Sequence, residues 1–333
     1  MEADDHESDS SYGTSVATDT TSIKSDILNY RFENGRRYHA FKAGAYLYPN
    51  DEDALDQMDI EHHNQSLMLG RLHMSPIKDP LEILDVGTGT GIWAIDMADA
   101  YPAATITGID LSPTQPSWVP PNVRFEVDDF TDEWTFGANH FDFIHCRFLY
   151  GSVADEPALL REAFNALKPG GWLEQNEVET AIYCDDGTFP MDGSYTRWAE
   201  VLTSAFDKIG RPWPKGPDLK TLFENAGFVD VQVKVLKRPT NDWPKDQRMK
   251  EIGKVSLQSA EATCKLNRIS QFTYFNFMKG LEGFTMGPFT RILSWTQEEV
   301  QVLLAGVRKE FGKRSYHGYQ KGWVVWGMKP SVP

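Results

Sequence analysis

From Leu81 onward the chain alternates short apolar runs with longer amphipathic stretches, an alternation that predicts βαβ units around a parallel sheet. The apolar runs fall at 82–86, 104–110, 123–129, 141–146 and 171–178. Helical periodicity over 156–167 meets a proline–glycine stop at Lys168-Pro169-Gly170-Gly171. Two further helices, near 195–209 and 219–226, lead into the strict period-2 run of 228–238. A closing helix over 296–311 opens on Thr296-Gln297-Glu298-Glu299, the pattern of a capping box. A last strand lies within 316–330.

The flanks of this pattern read differently. Residues 1–25 are acidic, rich in Ser and Thr and nearly free of large apolar side chains. Such a segment cannot bury enough surface to offset the entropy of ordering, so it is expected to be a disordered tail. Residues 26–80 are expected to form an N-terminal helical cover, interrupted by Tyr38, Tyr46 and Tyr48 and by a turn at Pro49-Asn50-Asp51. Beyond that turn Leu55, Met58, Ile60, Leu67 and Leu69 fall near helical spacing. The stretch 243–293 is too long for a plain loop in a compact core and is expected to be a helical lid insertion. Its run QFTYFNFMKGLEGF suits an aromatic substrate pocket and, equally, a buried helical face. The α/β core then spans 81–242, and 294–333 adds a helix and strand that complete its sheet.

Composition narrows the function classes. With 333 residues, 41% of them hydrophobic, the chain can build one large domain or a domain with a cap. A net charge of -15 disfavours binding to nucleic acid or to anionic membrane surfaces, although Arg36, Arg37 and 312–321 are locally positive. Cys146, Cys184 and Cys264 are too few and too scattered for a disulfide framework or a zinc site, and they read as reduced thiols. No metal is expected. No apolar run approaches the roughly 18 residues of a membrane span, and the N-terminus lacks the layout of a signal peptide. The expectation is a cytoplasmic or nuclear protein.

The chemistry concentrates in the run ILDVGTGTG at 83–91, where an apolar strand enters a turn with Gly87, Gly89 and Gly91 and a helix follows. A strand feeding such a turn lets backbone N–H groups and a helix N-terminus approach a nucleotide-type ligand with no Cβ in the way. A dinucleotide site would read G-x-G-x-x-G, and Ile92 stands where its third glycine would be. Asp85 two positions before a GxGxG turn resembles the usual opening of class I S-adenosylmethionine (SAM) methyltransferases.

That resemblance assigns expected roles. Gly87, Thr88, Gly89 and Gly91 would let the backbone pass the ribose and methionine parts of SAM, with Asp85 holding the turn or meeting the ammonium. Asp110, followed by Leu111, ends the second strand where a carboxylate can accept both ribose hydroxyls; the alternative is a cap for Ser112. Asp128 or Asp129 would meet the adenine edge, and Tyr38 is placed in a cover over the cofactor. His145 and Arg147 share one side of a strand and are the candidate catalytic pair, His145 orienting the acceptor proton and Arg147 its loop or an acidic group. A structural His bonded to backbone is the competing reading. Methyl transfer needs little acid–base help, because the leaving thioether is neutral and alignment supplies most of the effect.

The blocks YHAFKAGAYLYPND, EILDVGTGTGIWAIDMADAYP, GIDLSPTQPSWVPPNVRFEVDDF, FDFIHCRFLYGS and LKPGGWLEQNEVE resemble the fungal LaeA-like methyltransferases over about residues 30–330. The resemblance implies a class I Rossmann-like fold with a seven-stranded sheet, its two C-terminal strands forming a reversed, antiparallel edge. It also implies SAM as cofactor, a small-molecule (secondary metabolite) or protein acceptor, and either methyl transfer or a regulatory role through velvet-type protein partners.

Overall fold

A computed structural model describes residues 27–78, 81–213, 216–246, 249 and 272–331. The acidic tail 1–25 and most of the first half of the expected lid lie outside the described residues.

The chain opens with a hairpin. Strands β1 (Arg31–Glu33) and β2 (Arg36–Tyr38) pair antiparallel around Asn34 and Gly35, both at positive φ (52° and 74°). An Asn-Gly pair relaxes into that turn more readily than into a helix, so this part of the cover is not helical. Helix α1 (Glu52–Leu69) follows, its N-terminus capped by Asp51 accepting from Ala54 N at 3.1 Å. The face α1 buries is not the apolar one: Gln57, Glu61, His62, Asn64 and Gln65 are inside, with Met68 and Leu69 at the end.

The core sheet is built from β3 (Glu82–Val86), β4 (Thr105–Asp110), β5 (Val123–Val127), β6 (Phe141–Arg147), β7 (Leu167–Val178), β8 (Val229–Pro239) and β9 (Tyr319–Met328). Its order is β5-β4-β3-β6-β7-β9-β8, with β9 antiparallel to both neighbours and the strands from β5 to β7 parallel. This is the class I methyltransferase arrangement. The Lys168–Gly171 turn lies inside β7 rather than before it: Phe141 pairs with Leu167 and Phe143 with Trp172, so the turn bulges out of an otherwise regular ladder.

Helices flank the sheet: α2 (Ile92–Ala100), α3 (Glu156–Ala166), α4 (Ser194–Lys208), α5 (Gly216–Asn225), α6 (Phe272–Gly287) and α7 (Gln297–Phe311). Alternate strand residues feed opposite faces. Leu84, Ile144 and Leu173 pack with Leu160 and Ala163 of α3 and Phe223 of α5, whereas Ile83, Ile106 and Phe143 pack with Trp93, Ala94 and Met97 of α2. A third, aromatic core joins α4, α6 and α7 through Trp198, Phe206, Phe277 and Phe311. The capping box at α7 is formed: Glu299 N donates to Thr296 Oγ1 at 3.2 Å and Thr296 N to Glu299 Oε2 at 2.8 Å.

Candidate active site

Neighbouring strands β3 and β6 run on to helices in opposite halves of the sheet order, and the crevice at such a switch point is where open α/β sheets hold ligands. A cleft opens there, above the carboxyl ends of β3, β4 and β6.

The glycine turn forms one wall. Gly87, Gly89 and Gly91 all have positive φ (67°, 59° and 79°), and a Cβ on Gly87 would lie 2.6 Å from Leu149 Cδ2. Several side chains hold the turn. Thr88 Oγ1 donates to Asp85 Oδ2 at 2.6 Å, while Thr114 Oγ1 and Gln115 Nε2 donate to Gly89 O at 3.0 and 2.6 Å. From above, Thr90 Oγ1 donates to Asp59 Oδ1 of α1 at 2.6 Å. Gly87, Thr88 and Gly89 line the cleft. Gly91 does not; it caps α2 against the ring of Phe125, so its place is in packing rather than on the ligand side.

Asp110 and Leu111 line the cleft. Both Asp110 oxygens face backbone donors, Oδ2 accepting from Gly89 N and Oδ1 from Ser112 N, each at 2.9 Å. The cap reading and the ribose reading are therefore compatible, because each carboxylate oxygen keeps a lone pair for a further donor. Burial pushes Asp110 up to about 6 against the pull of those two N–H groups.

Of the acidic pair ending β5, only Asp129 reaches the cleft; Asp128 turns back to accept from Asp129 N at 2.8 Å. Burial opposes ionisation of Asp129, but hydrogen bonds from Lys42 Nζ (2.8 Å) and Thr131 outweigh it and hold the carboxyl below its ordinary range.

The candidate catalytic pair separates. His145 is 1% exposed and absent from the cleft wall. Its Nδ1–H donates to Asp85 Oδ1 at 2.8 Å, Asn176 Nδ2 donates to Nε2 at 3.3 Å, and the ring stacks 3.7 Å from Trp93. Burial lowers its pKa to about 4 despite the Asp85 bond, so the ring is neutral and fully used in bracing Asp85 beneath the turn. Arg147 does line the cleft, with Nη1 donating to His62 Nδ1 at 3.0 Å and His62 Nε2 bonded in turn to Asp96 at 2.8 Å.

Tyr38 also falls away from the site. The hairpin turns it under Arg291, whose guanidinium sits 4.1 Å from the ring centroid, and its ring is buried outside the cleft. The cover over the cleft comes instead from Tyr46, Asn50 and Met58, with Phe284 of α6 at the far side. Phe148 and Tyr150, directly after β6, form the remaining wall, and Phe148 holds a positive φ of 55° that nothing in its residue type announces.

Residues 60–233 match the family model described as a methyltransferase domain. The chain is 42% identical over 322 residues to "Methyltransferase pytC" of Aspergillus terreus, covering 95% of this chain and 94% of that one. It is 39% identical to "Secondary metabolism regulator LAE1" of Cochliobolus heterostrophus, covering 91% of this chain and 95% of the relative. A third relative, "Protein-methionine methyltransferase laeA" of Emericella nidulans, is 32% identical, with 93% of this chain and 79% of the relative covered. With a methyltransferase-domain match over half of its length and relatives of this identity along nearly all of it, the chain belongs to the LaeA-like SAM-dependent methyltransferases.

Proposed function

We propose that this protein transfers a methyl group from SAM to an acceptor of fungal secondary metabolism, in the cleft above β3, β4 and β6. The observation that carries the reading is the union of a turn whose Gly87 and Gly89 bring no β-carbon to the cleft with Asp110, which accepts from Gly89 N through Oδ2 and retains lone pairs on both oxygens for a ribose diol. The residues fit a nucleoside with a sulfonium tail: Gly87 and Gly89 give close backbone approach, Asp129 stands at the adenine end, and Tyr46 offers a ring face. SAM supplies an electrophilic methyl group when bound. The protein's part is to hold the acceptor in line and exclude water, with Asp85 braced by His145 so that the turn is rigid before ligand arrives.

Titration of the full chain with S-adenosylhomocysteine (SAH) by calorimetry tests this. Binding is expected for wild type and lost in Gly89→Arg, whose side chain would fill the cleft floor. Absence of binding to wild type sinks the reading.

The regulator names borne by relatives such as LAE1 support a second reading, a SAM-binding regulatory subunit acting through velvet-type partners. Affinity purification that recovers no stable partner would remove it.

A further inference from the structure

A second space adjoins the cofactor cleft and is unused by the glycine turn. The two share Gln57, Glu61, Phe148, Tyr150 and Phe284 as a common neck. Beyond the neck the walls are aromatic: Tyr150 stacks 4.3 Å from Trp213, and Trp198 and Phe277 meet edge-on at 5.3 Å. The polar groups there are almost all spoken for. Glu61 accepts from Arg238 Nη2 at 2.5 Å and from Asn276 Nδ2 at 2.6 Å, Gln57 donates to Asn276 at 2.9 Å, and Glu179 accepts from Trp323 Nε1 at 2.6 Å. One donor is not. Arg238 is 4% exposed, lines this chamber, and its Nε–H has no partner. A buried guanidinium N–H left unbonded is costly, which argues for a ligand oxygen in its path.

We propose that this chamber is the acceptor site and that the acceptor is a small planar arene bearing oxygen, one oxygen receiving the Arg238 Nε–H and a hydroxyl lying at the neck. This rests on the methyltransferase reading above. In the transfer the acceptor O–H bond is replaced by O–CH3 and the S–CH3 bond breaks. The S–CH3 electron pair stays on sulfur, discharging the sulfonium, and the proton leaves to water through the open mouth of the cleft. A thioether is a weak acceptor and would leave the guanidinium unsatisfied, so a methionine side chain fits the chamber poorly.

The test uses the full chain, with and without saturating SAH, titrated with 2-naphthol and with its oxygen-free counterpart 2-methylnaphthalene. Wild type is expected to prefer 2-naphthol by about tenfold, the worth of one hydrogen bond from a charged donor. Arg238→Lys keeps the charge opposite Glu61 but removes Nε–H, and should erase that preference. Thr180→Phe fills the chamber and should abolish binding of both arenes while SAH affinity is unchanged. Equal affinity for the two arenes in wild type, unaltered binding in Thr180→Phe, or displacement of 2-naphthol by N-acetylmethionine amide at lower concentration would each overturn the proposal. Failure of SAH to bind would instead strike the methyltransferase reading, and the titrations without SAH keep the two results apart.

Discussion

Two glycines only two residues apart do different work. A β-carbon on Gly91 would come 2.3 Å from Cζ of Phe125, a half-buried ring packed against the α2 core, whereas one on Gly89 would meet only Met58 Sδ at 3.2 Å. Both sit at positive φ, so alanine strains either backbone, but overpacking is added only at Gly91. Gly91→Ala should cost about 3 kcal/mol in denaturant unfolding and Gly89→Ala about 1 kcal/mol, the latter chiefly weakening SAH binding. Asp110 carries a pH signature. Its carboxyl, pushed up to about 6 by burial, is protonated below that value and ionised above it. Only the ionised form accepts from two ribose hydroxyls, so affinity for SAH should rise with pH and be about tenfold weaker at pH 5 than at pH 7. Asp110→Asn should bind weakly and flatten the profile; an unchanged slope in that variant would remove Asp110 from the site. His145 shows where residue-level reading stops. Period 2 places it correctly on the β6 face shared with Arg147, but not how deep the sheet buries each one, and depth separates brace from wall.

Helix α1 illustrates the same limit one level up. Its buried face is Gln57, Glu61, His62, Asn64 and Gln65, a choice that local pattern argues against. The burial is tolerable because partners arrive from far along the chain: Arg238 on β8, Asn276 on α6 and Asn176 on β7. Nothing local to α1 signals them. The β-strands of the core, the capping box of α7 and the glycine turn were legible because local geometry alone demands their residues. The hairpin carried a legible Asn34-Gly35 signal that a helical expectation overrode. The Glu61–Arg238 pair gives a sharp prediction at this scale. Arg238→Met leaves a buried carboxylate uncompensated and should cost about 3–5 kcal/mol, while Glu61→Leu/Arg238→Met should recover most of the loss. Chemical denaturation of the three proteins measures it; a double variant no better than the single would show that the pair contributes net stability.

At the scale of the molecule, the cleft draws on distant parts of the chain. Its floor comes from residues 87–114, its cover from Tyr46 to Glu61, and one side from Phe284. The sheet that supports it depends equally on β9, which lies between β7 and β8 and pairs with both. A chain ending at residue 316 lacks that strand, so β8 has no neighbour to join it to the sheet. Such a chain should show no cooperative unfolding transition by circular dichroism and no SAH binding, although every residue of the glycine turn is present.

Strand β9 also imposes an order of events. Synthesis proceeds from the N-terminus at roughly 5–20 residues per second, and β8 leaves the ribosome well before the strand that must enter between it and β7. For that interval the nascent protein carries two unpaired sheet edges and an open seam, the kind of surface that chaperones and neighbouring chains recognise. The insertion that closes the methyltransferase sheet therefore sets a window of vulnerability during biosynthesis, whose length is the translation time of residues 240–328.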